Sequence, residues 1–210
     1  MQMQHVDVVA ITRMVLIFFH LLAFAVAAAA TVMADYAIFA RGSVEIPLLR
    51  KAAAGVTMAL AVLWITGTAI IWLDTGFDVA AIGRAPKLLA KLTIVSLLTL
   101  NGIALHRFAF PRLEKAQDNP QQAASLPAVL GAISTSTWLF AAFLGIAKAA
   151  APLLGYSGFI ALYLAALGSA IAAALFAVRP RLARRMGHNT ALPRSRKRFR
   201  DMIRQHRQQA

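Results

Sequence analysis

The sequence predicts an all-α integral membrane protein, a bundle of five transmembrane helices. Of its 210 residues, 60% are hydrophobic and only 14% are charged, whereas a typical soluble domain has about 25% charged residues. The apolar residues form five blocks, roughly 14–34, 53–73, 88–105, 128–147 and 158–178. Each block has about the 20 residues that a helix needs to cross the hydrocarbon core. Residues 1–178 are therefore expected to form one transmembrane domain and 179–210 a basic tail.

The distribution of basic residues predicts the orientation. Eleven of the 22 Lys and Arg residues lie from Arg179 onward, directly after the last span, with Asp201 as the one acid among them. Basic residues concentrate on the cytoplasmic side of membrane proteins, so the tail is expected in the cytoplasm. Five spans then place the N-terminus outside. The loops after the first and third spans are also basic, through Arg41, Arg50, Lys51, Arg107, Arg112 and Lys115.

The tail "SRKRFRDMIRQHRQQA" has the pattern of a short amphipathic helix. Phe199, Met202 and Ile203 stand at helical spacing among arginines. Such a helix lies at the membrane surface and binds anionic lipids. The net charge of +14 would also suit nucleic acid, but the adjoining transmembrane helix argues against it, and no nucleic-acid partner is expected.

The first block has one alternative interpretation, a cleavable leader. The stretch "AVAAAATVMA" offers several A-x-A sites. Its basic flank is weak, however, with Arg13 alone and Asp7 nearby. The block is therefore expected to be a retained helix.

The sequence contains no cysteine. This excludes disulfides, thiolate metal sites, iron–sulfur clusters and covalently attached c-type haem. Any cofactor must be held by other side chains or by the backbone.

Ionisable side chains at membrane depth are costly and usually face the bundle interior. The predicted topology sorts five of them into two levels. His20 and Lys91 fall in the outer half of the membrane. Asp35, His106 and Arg107 fall near the inner face.

The inner group is expected to be structural. An acid at one helix end, Asp35, would pair with the bases His106 and Arg107 at another and fix the packing of the helices. Asn101 is expected to form a hydrogen bond across helices, and Gly102 to allow their close approach.

The fourth span contains "STSTW", from Ser134 to Trp138. These hydroxyls could bind a propionate or a quinone, or line a proton path. More commonly such hydroxyls bond to their own helix or to a neighbouring one.

The outer group admits two interpretations. His20 could simply form a hydrogen bond to another helix, for example to Thr66 or Thr68, and Lys91 could extend its amine to the interface. Alternatively His20 is a cofactor ligand, since histidine is the usual axial ligand of haem. Three alanines continue its helix face and would form a shallow trough for a flat macrocycle, or a close helix contact: Ala23, Ala27 and Ala30.

Three stretches carry a resemblance to known families: "FFHLLAFAVAAAATVMADY", "RKAAAGVTMALAVLWITGTAIIWL" and "APKLLAKLTIVSLLTLNGIALHRFAFPRL". Over roughly residues 15–115 the chain resembles small bacterial membrane proteins, the HemJ-type protoporphyrinogen oxidases and the CopD-type copper-resistance proteins. In HemJ-type proteins a first-helix His and a third-helix Lys are associated with b-type haem. The resemblance therefore implies haem b on His20, with Lys91 as a possible second ligand of the iron.

The same resemblance implies a redox role in the bacterial inner membrane, either electron transfer or porphyrin oxidation, with a quinone or a porphyrin as partner. The chain departs from the HemJ-type pattern after the first helix, where "DYAIFAR" replaces an "LPRL"-like stretch, and in its fifth helix and basic tail. The resemblance therefore implies haem binding more directly than it implies the oxidase activity.

Two alternatives stay open. A CopD-like protein would transport copper or confer resistance to it. His20 and the thioethers of Met14, Met33 or Met58 would then be the copper ligands. Met14 and Met33 stand at opposite ends of one helix and cannot share an ion. The other alternative is a non-catalytic accessory subunit of a larger complex, or a homo-oligomer.

Overall fold

The computed structural model describes residues 7–40, 44–115, 117 and 119–187. These residues form helices and no strands. Five helices are long and apolar enough to cross a membrane: α1 (Val8–Phe39), α2 (Ile46–Thr75), α3 (Pro86–Glu114), α4 (Pro120–Ile146) and α5 (Ala151–Gly187). A short helix, Val79–Gly83, lies between α2 and α3. The predicted fold class, an all-α multi-pass membrane protein, is confirmed.

Two of the sequence predictions fall outside the described residues. These are the amphipathic helix around Phe199 and the loop base Arg41. Helix α5 continues past residue 179, where the tail was expected to begin, and ends at Gly187.

Local sequence explains where the helices begin and end. Asp7 caps α1 by accepting hydrogen bonds from the backbone N–H groups of Val9 and Ala10. Each of the other four long helices has a proline in its first turn, where the missing N–H costs nothing. Helix α2 ends at Thr75 and is followed by Gly76, whose left-handed conformation (φ 58°) suits glycine.

The helices form two groups. The backbones of α1 and α2 pack closely along their length, and so do those of α3, α4 and α5 among themselves. Across the groups, side chains make the contacts. The rings of Phe24 and Trp138 meet edge to face at 5.6 Å, and Trp64 Nε1 donates to Thr99 Oγ1 at 3.0 Å. The groups are thus joined by large side chains, which leave space between the backbones.

Two turns of π-helix interrupt the long helices, at Leu105–Ala109 in α3 and Ala174–Val178 in α5. Each precedes a proline by two residues, Pro111 and Pro180 respectively. Proline cannot donate a backbone hydrogen bond, and its ring collides with the carbonyl four residues earlier. Widening the preceding turn to the i→i+5 pattern accommodates that ring without ending the helix.

Ion pairs join helix ends at opposite faces of the bundle. Arg13 of α1 meets Asp74 of α2 at 2.9 Å. Arg50 of α2 binds Glu114 of α3 through two hydrogen bonds of 2.8 Å. Both pairs are partly exposed, so their net stabilisation is modest, but they fix the register of the helix ends.

Burial distinguishes two phenylalanines of α5. Phe159 is fully buried against α3 and α4, whereas Phe176 is 85% exposed on the outer surface. We expect Phe159→Ala to lower the free energy of unfolding by about 3 kcal/mol, because it leaves a cavity in packed protein. The matched change Phe176→Ala exchanges contacts with lipid and should cost less than about 1 kcal/mol. Reversible unfolding in bicelles measures both, and equal losses would contradict the described packing.

Candidate functional site

His20 lies half-buried on α1 and contacts Thr66 on α2. Its Nδ1 is 2.8 Å from Thr66 Oγ1, so the predicted hydrogen bond to a neighbouring helix is present. The same hydroxyl lies 2.7 Å from the backbone carbonyl oxygen of Val62. A threonine hydroxyl has one proton, and a carbonyl can only accept it. Thr66 therefore donates to Val62, and Nδ1–H of His20 donates to Thr66.

This arrangement fixes the tautomer of His20. With the proton on Nδ1, Nε2 of the neutral imidazole carries a lone pair. Nε2 forms no hydrogen bond with the described residues. It is also not fully buried, so a bound molecule could reach it. Histidines that bind metals commonly hold their other ring nitrogen in this way, through a second hydrogen bond. His20 is thus oriented as a ligand would be.

Lys91 lies half-buried on α3, one turn after Lys87. Among the described residues its amine has no hydrogen-bond or ion-pair partner. Lys87, one turn away, donates to the carbonyl oxygen of Gly145 at the end of α4 (3.3 Å). No hydrogen bond joins Lys91 to His20 among the described residues, and the amine of Lys91 is left unengaged.

The alanine face next to His20 is a helix contact. All three alanines are buried, and Ala27 is completely inaccessible. Helix α2 occupies the predicted trough through Ala59 and Leu63, and a Cβ added to Gly55 would lie only 3.3 Å from Ala30 Cβ. Small residues that let two backbones approach are typical of membrane helix contacts.

These residues suit the iron of a haem but not its porphyrin ring. The imidazole of His20 suits an axial ligand in both tautomer and accessibility. The alanine face does not suit the porphyrin ring, because α2 already fills it. A porphyrin bound through His20 would need a different surface.

The residues proposed for copper do not converge. Met14 and Met58 are largely exposed on the outside of the bundle. Within the described ranges there is no cluster of three or more His, Asp or Glu side chains that could hold a metal ion.

The inner group lies at a cavity of about 840 Å³ between the two helix groups. Asp35, His106 and Arg107 all line it, but in the part of the chain that the structure describes no ion pair or hydrogen bond joins them. His106 instead lies 3.2 Å from Thr57 Oγ1 through its Nε2. The structure therefore gathers the three predicted residues at one site without the ion pairing expected for them.

The two predicted packing residues of α3 have different outcomes. Asn101 Nδ2 donates to the backbone oxygen of Leu130 on α4 at 3.1 Å, so the expected bond across helices is confirmed. The expectation for Gly102 is wrong. A Cβ added there would meet no atom within 4 Å, because Gly102 faces the cavity and not a neighbouring helix.

The hydroxyls of "STSTW" divide between two roles. Thr137 is buried and bonds both to its own helix, at Ile133, and to Tyr163 of α5. Ser134 and Thr135 line the cavity. The sequence analysis did not predict this cavity. Pro111 and Pro180, which stand at matching positions in α3 and α5, could have indicated distorted helices there.

Comparison with protein-family models, with curated proteins and with solved structures found no match to this chain. The residues and their geometry are therefore the basis for assigning a function.

The tautomer of His20 can be tested directly. In Thr66→Val the nearest acceptor for Nδ1–H disappears, so we expect His20 to shift toward the Nε2–H tautomer. The ¹⁵N chemical shifts of histidine-labelled protein, prepared without bound cofactor, report this change, with His20→Gln used to assign the signal. Thr57→Val is the matched control: it should alter the signal of His106 and leave that of His20 unchanged. An unchanged His20 signal in Thr66→Val would contradict the assigned bond.

Proposed function

We propose that this protein is a multi-pass protein of the bacterial inner membrane that binds a b-type haem through His20 and has a redox role, in electron transfer or porphyrin oxidation. The observation that supports it best is the open Nε2 of a half-buried histidine whose other nitrogen is held by Thr66. When bound, the haem iron would supply one-electron chemistry.

Residues around His20 have distinct parts in this proposal. Thr66 holds the ring through Nδ1 and leaves Nε2 on the opposite side. The hydrogen bond from Nδ1–H makes Nε2 a stronger electron-pair donor to a metal. Gly67 lies beside the ring, where an added Cβ would be in van der Waals contact with His20 Cε1 at 3.4 Å. Lys91, on α3, would be the second nitrogen ligand of the iron.

No specific observation favours the alternatives. Copper transport would need converging ligands, and Met14 and Met58 lie apart on the bundle surface. An accessory subunit without a cofactor would leave unexplained why a polar, unpaired Nε2 persists at membrane depth, where such groups are costly.

The haem proposal predicts a Soret absorption band in protein purified from haem-replete cells. We expect His20→Ala to abolish the band, because the iron loses its axial nitrogen. His106→Ala is a matched control, since it also removes a spanning histidine that contacts a threonine of α2. Colourless wild-type protein, or a band lost only in His106→Ala, would overturn the assignment to His20.

The proposed orientation predicts opposite accessibility for two loops. The chain has no cysteine of its own, so single cysteines can be introduced without background labelling. Gly83→Cys, between α2 and α3, should react with a membrane-impermeant maleimide in spheroplasts. Gln122→Cys, at the start of α4, should react only after lysis. The reverse pattern would invert the topology and place the tail outside.

A further inference from the structure

The cavity near the inner ends of the helices has the size of a ligand site. Its volume of about 840 Å³ falls within the range of roughly 300 to 1,000 Å³ that is usual for small-molecule pockets. All five long helices contribute to its wall, and most of the lining side chains are apolar. It occupies the space that the large cross-group side chains leave between the α1–α2 pair and the α3–α5 group.

Backbone features concentrate at this cavity. Both π-helical turns line it, through Leu105 and Ala109 on α3 and through Ala174 and Val178 on α5. Such turns are rare, and they occur preferentially at functional sites.

Two glycines keep the wall of the cavity open. Gly102 and Gly131 also face it, on α3 and α4, and a Cβ added to either would meet no atom within 4 Å. Their missing side chains therefore enlarge the space and do not serve close helix packing.

The polar groups of the cavity include two hydrogen-bond acceptors. Thr57 Oγ1 bonds to the carbonyl oxygen of Ala53 at 2.9 Å, which uses its single proton. His106 Nε2–H must then be the donor to Thr57, so Nδ1 of the neutral ring carries a lone pair. The carboxylate of Asp35 also only accepts, and within the described ranges it has no partner. The nearby guanidinium of Arg107 is a donor.

We propose that this cavity binds a lipophilic hydroquinone, an aromatic ring with two hydroxyl groups and an apolar chain. A hydroxyl both donates and accepts, so one ring can donate to Asp35 and His106 and accept from Arg107. A quinone carbonyl only accepts, so it could pair with Arg107 but not with the two acceptors, Asp35 and His106. A phospholipid phosphate would place an anion next to Asp35. The apolar wall suits the chain of the ligand.

This site lies at a different level from His20 and does not depend on the proposed haem. The binding experiment therefore uses the His20→Ala variant alongside the wild type in nanodiscs. Both should bind equally if the hydroquinone occupies the cavity. Loss of haem in His20→Ala with retained hydroquinone binding would separate the two proposals, and failure of either one leaves the other standing.

The first test fills the cavity. Anaerobic equilibrium dialysis with decylhydroquinone measures the affinity of the wild type, of Gly131→Leu and of Gly168→Leu. Gly131→Leu places a side chain in the cavity, and we expect its affinity to fall by more than about tenfold. Gly168 is an exposed glycine of α5 outside the cavity, also without a neighbour at Cβ, and its variant should bind as the wild type does. Unchanged binding by a folded Gly131→Leu would overturn the proposal.

The second test addresses the hydroxyl groups and holds even if Gly131→Leu does not fold. Decylhydroquinone dimethyl ether has the same ring and chain but no donor, and we expect it to bind the wild type about tenfold more weakly or worse. Asp35→Ala should weaken the binding of the hydroquinone and leave that of the ether unchanged. If the ether binds as tightly as the hydroquinone, or if Asp35→Ala has no effect, the cavity is a general lipid site and the proposal is wrong.

Discussion

The constraint on which this structure depends is that hydrocarbon offers no hydrogen-bond partners. A polar group in a span finds its partner within the protein or in a bound molecule, and the threonines show one way in which this is done. Thr57 and Thr66 each donate their one proton to a carbonyl of their own helix. Their oxygens can then only accept, and in each case the N–H of a histidine donates to them. The same pattern of threonine hydrogen bonds on α2 thus orients His20 and His106, and leaves each with one nitrogen unengaged.

The same constraint limits how α3 and α5 can be built. A proline within a span removes a backbone donor, and lipid cannot replace it. Both helices respond with a π-helical turn before Pro111 and Pro180, and in both the third residue of the sequence "PRL" is buried in one cluster, as Leu113 and Leu182. The widened turns face the gap between the helix groups, while Phe24 and Trp138 keep the backbones apart. The cavity therefore follows from the positions of prolines and large aromatic residues, which shape the interior without filling it.

Hydrophobic block length was enough to predict the five spans, because that signal is local and strong. The partners of polar residues were predictable only where few alternatives exist. Asn101 had to bond across helices, and Thr66 stood at the level of His20. The pair of Arg13 and Asp74, 61 positions apart, depends on the helix register and could not be predicted. Gly102 was misjudged because a glycine in a membrane helix fits either close packing or open space, and only the placement of its neighbours distinguishes the two.

The two histidines differ in what holds them. The bond of His20 lies within the closely packed α1–α2 pair, so it persists whatever the distance between the helix groups. The bond of His106 to Thr57 crosses the gap, as does the hydrogen bond of Trp64 to Thr99 and the ion pair of Arg50 with Glu114. Separation of the groups to admit a molecule between them would strain these crossing bonds and leave His20 undisturbed. The contact of His20 therefore depends on one helix pair, whereas that of His106 depends on the distance between the two groups, although α2 makes both contacts.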